Sequence, residues 1–444
     1  MDKEERQGVS GARGGGVEAY YSAMDLIVER KTKSPGKKAV RMLSQMIRTK
    51  VPEKRIRGKV IYPLSQVLVM VFFAVCKGKT NVSSIWRWLA NGKTQKHLRE
   101  YIPDLVGVPC EDTFMRVLSV VDVGKLHEAL VDFLMCVFSN VRKGKKGKRT
   151  QYCVDGKVNR GSGRLAGTAS ETKPLQILHV FEAYSGICLA GIPIDKKTNE
   201  IPVAQAVLRT LDLRDIIVSF DALHTQKETI GVIAGGGGYY VGGLKNNQKT
   251  LAEEASVCFD EEYLASLAKG TDNRCEYTEF ANNNFIRREY YAYPYRHGKD
   301  DAFSDWPSVR TIICSRKTIT KLKPRKGEQE KTTETKYYIS NMTDVGMCAT
   351  AIRNHWSVES MHNMLDTMFL DDANQTVNRT ASANISLFKK MALGVFSQIK
   401  SALPQGGKKR LVAIREDFND DFWDSMDMML SLLDAKSIRE ALRT

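Results

Sequence analysis

The spacing of apolar positions divides the chain into a helical first third and a section in which helices and strands alternate. Residues 64–76, LSQVLVMVFFAVC, are almost continuously apolar; this predicts a buried helix, because thirteen residues are too few to span a bilayer. Apolar positions recur at helical spacing in SSIWRWLA and in TFMRVLSVVDVGKLHEALVDFLMCVF, which ends near Asn140. The first third therefore predicts a compact helical domain.

From Tyr152 onward the pattern changes to short β-rich segments separated by turn residues. Three segments predict strands, with a hairpin turn at Ser185 and Gly186: QYCVD, LQILHVFEAY and GICLAGIPI. A helix, a fully apolar strand, a second helix and another strand follow in EIPVAQAVLRTL, DIIVSFD, TQKETIGVIAGG and GYYVGGL. This succession predicts a mixed α/β sheet, with Asp155 and Asp221 at the ends of its first and fourth strands.

Residues 255–336 interrupt this succession with polar and apolar or aromatic residues in alternation, as in CEYTEFANNNFIRREYYAYP, and we interpret them as an inserted β-rich unit. Helices resume near Met347. The expected divisions are a disordered leader (1–29), a basic arm with the helical domain (30–140), a basic linker (141–150), the sheet (151–254), the insertion (255–336), the rest of the sheet domain with its helix (337–402) and a helical tail (403–444).

Charge adds an expectation about the partner. Lys and Arg outnumber Asp and Glu by 67 to 51, which gives a net charge of +16 and favours an anionic polymer, most commonly nucleic acid. Residues 30–59 carry twelve cations against one acid, Glu53, and are interpreted either as a DNA-contacting arm or as a solvated basic linker. The segment RKGKKGKR (142–149) predicts a boundary and brings charge close to Asp155.

Cysteine usage and the N-terminal segment indicate a cytoplasmic protein without membrane attachment. The nine cysteines are scattered and never spaced as CxxC, which argues against a disulfide framework or a zinc ribbon and fits a reducing compartment. The start, MDKEERQGVSGARGGG, lacks the apolar core of a secretion signal.

One predicted helix, AIRNHWSVESMHNMLDTMFLDD, carries chemistry on one face. At 100° per residue His355, Glu359, His362 and Asp366 fall on one side, and Val358, Met361, Met364, Leu365 and Met368 fall on the other. The polar side is a solvated face, a zinc site built from the histidines and the glutamate, or part of a larger acidic site.

The larger acidic site explains more of the sequence. If Asp155, Asp221 and Glu359 converge, their oxygens can hold two Mg²⁺ ions, for which Mn²⁺ can substitute. Two ions about 3.5–4 Å apart can activate a water or a 3′-hydroxyl and stabilise the departing oxygen of a phosphodiester. The pattern of strand-Asp, strand-Asp and helix-Glu in a basic protein therefore predicts metal-dependent phosphodiester chemistry.

At these residues the chain resembles the DDE transposases of bacterial insertion sequences, in the ISAs-type or H-repeat-associated branch. The resemblance covers about residues 40–400 and is carried in the family's order by VDGKVNRGS, IVSFDALHTQKE, GGYYVGGLKNNQKTL, YYIS and RNHWSVESMHNMLDTMFLDDANQTVNRTASANISLFKKMAL. Ile352, His355 and Asp366 stand where the wider group has tyrosine, arginine and lysine, so the resemblance does not extend to a hairpin mechanism that uses those side chains.

The resemblance implies a fold, a reaction and a partner. It implies a ribonuclease-H-like mixed sheet with a β-rich insertion before the last acid, preceded by a helical DNA-binding domain, and Asp155, Asp221 and Glu359 as catalytic metal ligands. It also implies cleavage of the terminal inverted repeats, joining to target DNA, and at least a homodimer on double-stranded DNA, in a bacterial cytoplasm near the nucleoid. An inactive DNA-binding relative and a structure-selective nuclease with the same core stay open as alternatives.

Further residues near the acids are candidate DNA contacts: Lys157, Arg160, His224, Gln226, Lys245, Asn247, Gln248, Arg353, His355 and His362. Thr225 is expected to cap the helix that follows Asp221. Trp356 either anchors the glutamate helix in the core, which we favour, or stacks on an unpaired base.

Overall fold

The computed structural model describes residues 35–56, 58–137, 149–164, 171–194, 199–267, 272–296, 301–322, 330–402 and 410–431. This part of the chain forms fourteen α-helices and nine strands. The helices are α1 (Pro35–Lys50), α2 (Leu64–Cys76), α3 (Val82–Leu89), α4 (Gly92–Tyr101), α5 (Glu111–Val120), α6 (Val123–Val137), α7 (Glu200–Thr210), α8 (Lys227–Gly235), α9 (Lys249–Val257), α10 (Glu261–Ser266), α11 (Val345–Phe369), α12 (Arg379–Ala402), α13 (Leu411–Asp420) and α14 (Phe422–Ser431). The strands are β1 (Gln151–Asn159), β2 (Leu175–Glu182), β3 (Ile187–Ile194), β4 (Ile217–Phe220), β5 (Tyr239–Leu244), β6 (Arg274–Ala281), β7 (Asn284–Pro294), β8 (Thr311–Lys321) and β9 (Lys331–Ser340).

The helices at the two ends of the chain share one hydrophobic core. All thirteen residues of α2 are buried, which confirms the predicted buried helix. Helix α1 packs on α6 and α14, and α12 packs on α2, α5 and α6. The helical first third is therefore built together with the C-terminal helices, a connection that the apolar pattern does not reveal.

The basic segment predicted as an arm or a linker contains the packed helix α1. One side of α1 is buried in the shared core through Leu43, Ile47 and their neighbours. Lys50 pairs with Glu128 at 2.9 Å and also with Asp132. The linker interpretation is thus corrected for residues 35–50, because an amphipathic helix can bury its apolar stripe and leave its cations outside. Contact of these cations with DNA stays a prediction. Residues 30–34 and Arg57 lie outside the described residues, as do the leader and most of the 141–150 linker.

The nine strands form one mixed sheet in the order β3-β2-β1-β4-β5-β9-β8-β7-β6. Strands β1, β2 and β3 pair antiparallel, whereas β4 pairs parallel with β1 and β5 pairs parallel with β4. The predicted succession of three strands, helix, strand, helix and strand is confirmed. Since β1 and β4 run in the same direction, their C-terminal ends lie at the same edge of the sheet.

The strands of the predicted insertion do not make a separate unit. Strand β9 pairs antiparallel with β5, and β8, β7 and β6 continue the same sheet outward. The segment also begins with helix, since α9 runs to Val257 and α10 follows. The alternating pattern predicts the strands correctly, but it does not show which edge they join.

Helix α11 lies across the sheet and contacts β1, β4 and β5. Its packed side includes Val358, Met361 and Leu365, which are buried as predicted. It begins at the capping residue Asp344, which accepts from the Met347 N–H, and ends at Leu370 in the left-handed conformation (φ 50°). The glutamate-bearing helix is therefore held against the strands that carry the two aspartates.

The structure also bears on the cysteines and on whether a helix could cross a membrane. All nine cysteines are free thiols. Among the described helices, none combines the length and the apolar character that crossing a membrane requires.

Candidate active site

Asp155 and Asp221 lie side by side at the edge of the sheet. In the parallel pairing of β1 and β4, Val154 is the partner of Phe220, so each aspartate directly follows a paired residue. Neighbouring strands lie about 4.8 Å apart, which brings the two carboxylates to one place. The strand-end prediction is confirmed for Asp221, which directly follows β4. It is wrong for Asp155, because β1 continues to Asn159 on its antiparallel partner β2 and only its pairing with β4 ends at Val154.

Gly156 leaves room for another acid behind Asp155. A Cβ atom at position 156 would overlap the carboxylate of Glu200, the first residue of α7. Glu200 accepts from the side-chain amide of Gln176 and lies 3.2 Å from His224 Nε2. The glycine that follows Asp155 therefore makes space for a fourth carboxylate, which sequence analysis missed because α7 is separated from β1 by two strands.

The Asp221 carboxylate organises the turn after β4. Its Oδ1 accepts from the backbone N–H groups of Leu223 (3.0 Å) and His224 (3.4 Å). Thr225 does not cap α8, contrary to the prediction. Its hydroxyl donates to the carbonyl oxygens of Asp221 and Gly243, and the residue before α8 is Gln226.

Glu359 lies on the solvent side of α11, over the end of β4. It is exposed, and with Asp221 it lines a cavity of about 120 Å³. His355, Trp356 and Lys245 line the same cavity. The strand and the helix thus place two acids that are far apart in sequence on one opening, next to Asp155.

Electrostatics confirms that the acids affect one another. The pKa of Asp155 is raised to about 7, first by burial and then by the negative charges of Asp221, Glu200 and Glu359. Such mutual repulsion is relieved when a cation binds between the carboxylates. The donor set, oxygen atoms of carboxylates, is the one that Mg²⁺ prefers.

The acidic side chains of the candidate site do not surround a single point. Among the described residues, no group of three or more His, Cys, Asp or Glu side chains is close enough to hold one metal ion as they stand. The zinc alternative receives no support from the two histidines of α11 for the same reason. The acids fit a magnesium site by their chemistry and by their neighbouring positions.

The two histidines of α11 are neutral and face the protein. Burial lowers the pKa of His355 to about 4, and its Nδ1 lies 3.1 Å from the Ser219 hydroxyl. Burial also lowers the pKa of His362 to about 3, and its Nε2 lies 2.8 Å from His179 Nδ1. Contact with DNA is therefore corrected for His362, whereas His355 keeps one side on the cavity.

Two further predicted DNA contacts are buried and already paired. Lys157 is 7% exposed, and its ammonium lies 2.7 Å from Asp366. His224 is 1% exposed and contacts Glu200. Both corrections have the same reason: a buried cation or imidazole needs a partner within the protein, and that partner cannot be read from local sequence.

The other candidates lie at the surface. The side-chain amides of Gln226, Asn247 and Gln248 donate to backbone carbonyl oxygens of the segment after Asp221, at 3.1, 2.6 and 3.0 Å. Arg353 lies over the Tyr277 ring at 4.4 Å. Lys245 and Arg160 are exposed. Their contact with DNA stays a prediction.

Trp356 is not a core anchor, contrary to the interpretation favoured from sequence. Its side chain is 59% exposed. It lines the cavity at Glu359 and also a neighbouring groove that contains Lys317, Lys336 and Arg353. An aromatic ring beside the candidate catalytic acid is thus open to solvent.

Sequence analysis also missed a buried ion pair beneath the site. Asp371, in the loop after α11, and Lys389, on α12, are both fully buried and lie 3.1 Å apart. Asn159 and Ser386 donate to Asp371 at 3.2 and 3.1 Å. A sign in the sequence was the pair of lysines, Lys389 and Lys390, between the apolar residues of SLF and MAL.

Comparison with known proteins identifies the family. The family described as "Transposase DDE domain" matches residues 146–393, which is more than half of the chain, and the family described as "DDE_Tnp_1-associated" matches residues 48–134. A solved structure of the piggyBac transposase synaptic complex with hairpin DNA aligns with 94% of this chain and 83% of that chain, at 12% identity and a TM-score of only 0.39.

Relatives of similar length occur in Escherichia coli. "Putative protein YbfL" of strain K12 is 26% identical over 358 residues, which cover 79% of this chain and 89% of that protein. "H repeat-associated putative transposase YhhI" of the same strain is 26% identical over 357 residues, with the same coverage. "Putative transposase YncI" of O157:H7 is 26% identical over 378 residues, which cover 81% of this chain and 88% of that protein. The chain belongs to the DDE transposase family and is a relative of its H repeat-associated members.

Proposed function

We propose that this transposase cuts the ends of its insertion sequence and joins them to target DNA, with Asp155, Asp221 and Glu359 as ligands of two Mg²⁺ ions. The observation that carries the proposal is the shared position of the three acids. Asp155 and Asp221 directly follow the last paired residues of two neighbouring parallel strands, and Glu359 lines the cavity at Asp221. Two carboxylates at one opening, with a third close enough to be affected by both charges, fit a site for metal ions and phosphates in a basic protein.

Cations at the cavity support a path for the DNA strand past the acids. Lys245 lines the cavity with Asp221 and Glu359 and offers positive charge to the phosphates that flank the scissile bond. Lys336 lines the cavity too but is paired with Glu334 at 2.8 Å. Neutral His355 contacts Ser219 and keeps the wall of the cavity in place without adding charge. When bound, the magnesium ions would activate the attacking hydroxyl and stabilise the leaving oxygen.

Trp356 supplies a flat apolar surface next to Glu359. A base that leaves the duplex at the cleavage position could stack on this ring, because stacking needs an exposed aromatic face and tolerates any base. The neighbouring cations Lys317, Lys336 and Arg353 would follow the backbone of that strand.

We also propose the finer assignments that the resemblance implies. The core is ribonuclease-H-like, which is supported by three antiparallel strands followed by two strands parallel to the first. The helical domain in residues 30–140 contributes to DNA binding, and the protein acts as at least a homodimer on double-stranded DNA carrying terminal inverted repeats. A bacterial cytoplasmic location near the nucleoid is supported by nine free cysteines and the net charge of +16.

The experiment is a cleavage assay on duplex DNA that carries the element's own ends. Glu359→Gln and Asp221→Asn should abolish Mg²⁺-dependent nicking and strand joining but retain DNA binding. Glu262→Gln is the matched control, because Glu262 is also an exposed helical glutamate, in the first turn of α10, and does not line the cavity. Cleavage by Glu359→Gln at the rate of the Glu262→Gln control would overturn the proposed site.

The same assay separates the alternatives. DNA binding without metal-dependent nicking by the parent protein would indicate an inactive DNA-binding relative. Nicking of branched DNA without any joined product would indicate a nuclease.

A further inference from the structure

A row of residues runs behind Asp155 across three strands. In the antiparallel pairing Asp155 lies opposite His179 on β2, and His179 lies opposite Gly191 on β3. Cross-strand partners project from the same face of a sheet. A Cβ atom on Gly191 would lie 3.0 Å from the Lys390 ammonium, so the lysine of α12 occupies the space that a third side chain would fill.

His362 on α11 lies between the first two members of this row. Its Nδ1 is 3.6 Å from Asp155 Oδ2, and its Nε2 is 2.8 Å from His179 Nδ1. His179 is fully buried, and its second nitrogen, Nε2, has no hydrogen-bond partner. Two hydrogen-bonded imidazoles therefore stand behind the candidate metal ligand, and the outer contact, from His362 to Asp155, is longer than a hydrogen bond.

Burial and the nearby Lys390 keep His179 neutral, because both lower its pKa. Of its two neutral tautomers, the one that can donate to His362 Nε2 carries its proton on Nδ1. That Nδ1–H then donates to His362 Nε2, so a neutral His362 carries its own proton on Nδ1, facing Asp155 Oδ2. The other oxygen of Asp155, Oδ1, accepts from the Gly156 N–H at 2.9 Å.

We propose that His362, oriented by His179, is a positioning residue that fixes the Asp155 carboxylate for metal binding. This inference rests on the proposed function, because it gives His362 and His179 a role behind a metal ligand rather than on DNA. Outer partners of this kind set the direction of a ligand's lone pairs, and losing one typically lowers metal affinity or activity about 10–100-fold.

The first test compares two variants of His179 by Mn²⁺ binding, followed by electron paramagnetic resonance on the full chain. In His179→Asn, the amide nitrogen stands where Nδ1 stood and can still donate to His362. In His179→Leu, the donor is lost at similar volume. We expect His179→Asn to bind Mn²⁺ nearly as the parent does, and His179→Leu to bind about 10–100-fold more weakly.

His127→Leu is the matched control, since His127 is another buried histidine near Lys390 but is bonded to the Leu189 carbonyl oxygen rather than to His362. It should lose stability and keep its Mn²⁺ affinity. Parental Mn²⁺ affinity in His179→Leu, or an equal loss in the His127→Leu control, would overturn the proposal.

The second test needs no variant and no activity. Nitrogen-15 NMR of the histidine-labelled protein reports which ring nitrogen carries the proton. Protons on Nδ1 of both His179 and His362 support the proposal, and a proton on Nε2 of either ring contradicts it. A chain that shows these tautomers but cuts no DNA would refute the proposed function and leave the positioning intact, so the two failures are distinguishable.

Discussion

Asp155, on β1, and Asp371, in the loop after α11, are two acids whose surroundings push their pKa values in opposite directions. The pKa of Asp155 is raised to about 7 by burial and by other acids. Burial also acts to raise the pKa of Asp371, but the ammonium groups of Lys389, Lys390 and Lys157 outweigh it and lower the pKa.

The difference separates a binding site from a structural pair. Asp371 has a cation at 3.1 Å and two neutral donors, so its charge is compensated within the protein. Among the described residues no Lys or Arg pairs with Asp155, and its charge is opposed by Asp221, Glu200 and Glu359. An acid whose environment opposes its charge is a candidate for function, whereas a paired buried acid supports the fold.

The largest expected effect on stability comes from breaking the buried pair. Asp371→Ala leaves Lys389 buried without its partner and should lower the free energy of unfolding by about 3–5 kcal/mol. Chemical denaturation followed by circular dichroism measures this change. The double variant Asp371→Leu with Lys389→Met should be much closer to the parent, and an Asp371→Ala protein as stable as the parent would contradict the account.

Removing the charge of Asp155, which the neighbouring acids oppose, should raise the free energy of unfolding rather than lower it. Below about pH 4 the Asp155 carboxyl is protonated in both the folded and the unfolded chain. Between pH 4 and its folded pKa of about 7, the unfolded chain releases this proton and the folded chain keeps it, so folding stability falls as pH rises. The Asp155→Asn variant has no carboxyl at this position, so its folding stability should not fall with pH for this reason.

We therefore expect the free energy of unfolding of metal-free Asp155→Asn to exceed that of the parent by about 2 kcal/mol at pH 8, after allowance for solvent screening. At pH 4 the two free energies should differ little. Denaturation in the presence of a chelator measures both values. A difference between variant and parent that does not grow with pH would show that the neighbouring acids do not oppose Asp155.

A bound metal ion should offset the loss of stability that the Asp155 charge causes, and it should not affect the Asp371–Lys389 pair. Free Mg²⁺ at about ten times its dissociation constant should raise the free energy of unfolding of the parent by about 1.4 kcal/mol. Thermal melts with and without Mg²⁺ should show this shift in the Glu262→Gln control and not in Asp155→Asn or Glu359→Gln. An equal shift in all variants would place the ion elsewhere.

The smallest change in stability is expected at Trp356. Because its ring is 59% exposed, Trp356→Ala should alter the free energy of unfolding by less than about 0.5 kcal/mol. If an unpaired base stacks on Trp356, the Trp356→Ala variant should bind a DNA end with an unpaired nucleotide more weakly by about 1–3 kcal/mol of binding free energy. Its binding free energy for fully paired DNA should change much less. Equal affinities of variant and parent for both substrates would exclude the stacking role.

Much of the fold follows from local patterns. The period-two and apolar segments predict β1 to β5 and the helices between them, and helical spacing predicts the buried side of α11. These features depend on residues close together in the chain. The adjacency of Asp155 and Asp221 does not, because it comes from the parallel pairing of β1 with β4, which local patterns do not specify.

Features that depend on distant partners were missed or misjudged. Lys157, His224 and His362 are residue types common at DNA interfaces, yet each is paired inside the protein. Glu200 enters the site only because α7 begins behind Gly156. A polar residue's role depends on what tertiary packing places next to it, and a single sequence carries little local signal of that.

The most direct measurement is a crystal structure of the protein bound to its DNA ends with Mn²⁺, in which anomalous scattering locates the ions. The account predicts ions with carboxylate oxygens of Asp155, Asp221 and Glu359 in their coordination shells, at the roughly 2.0–2.2 Å typical of such small divalent ions. Ions bound without Glu359, with its side chain still turned to solvent in the DNA complex, would contradict it.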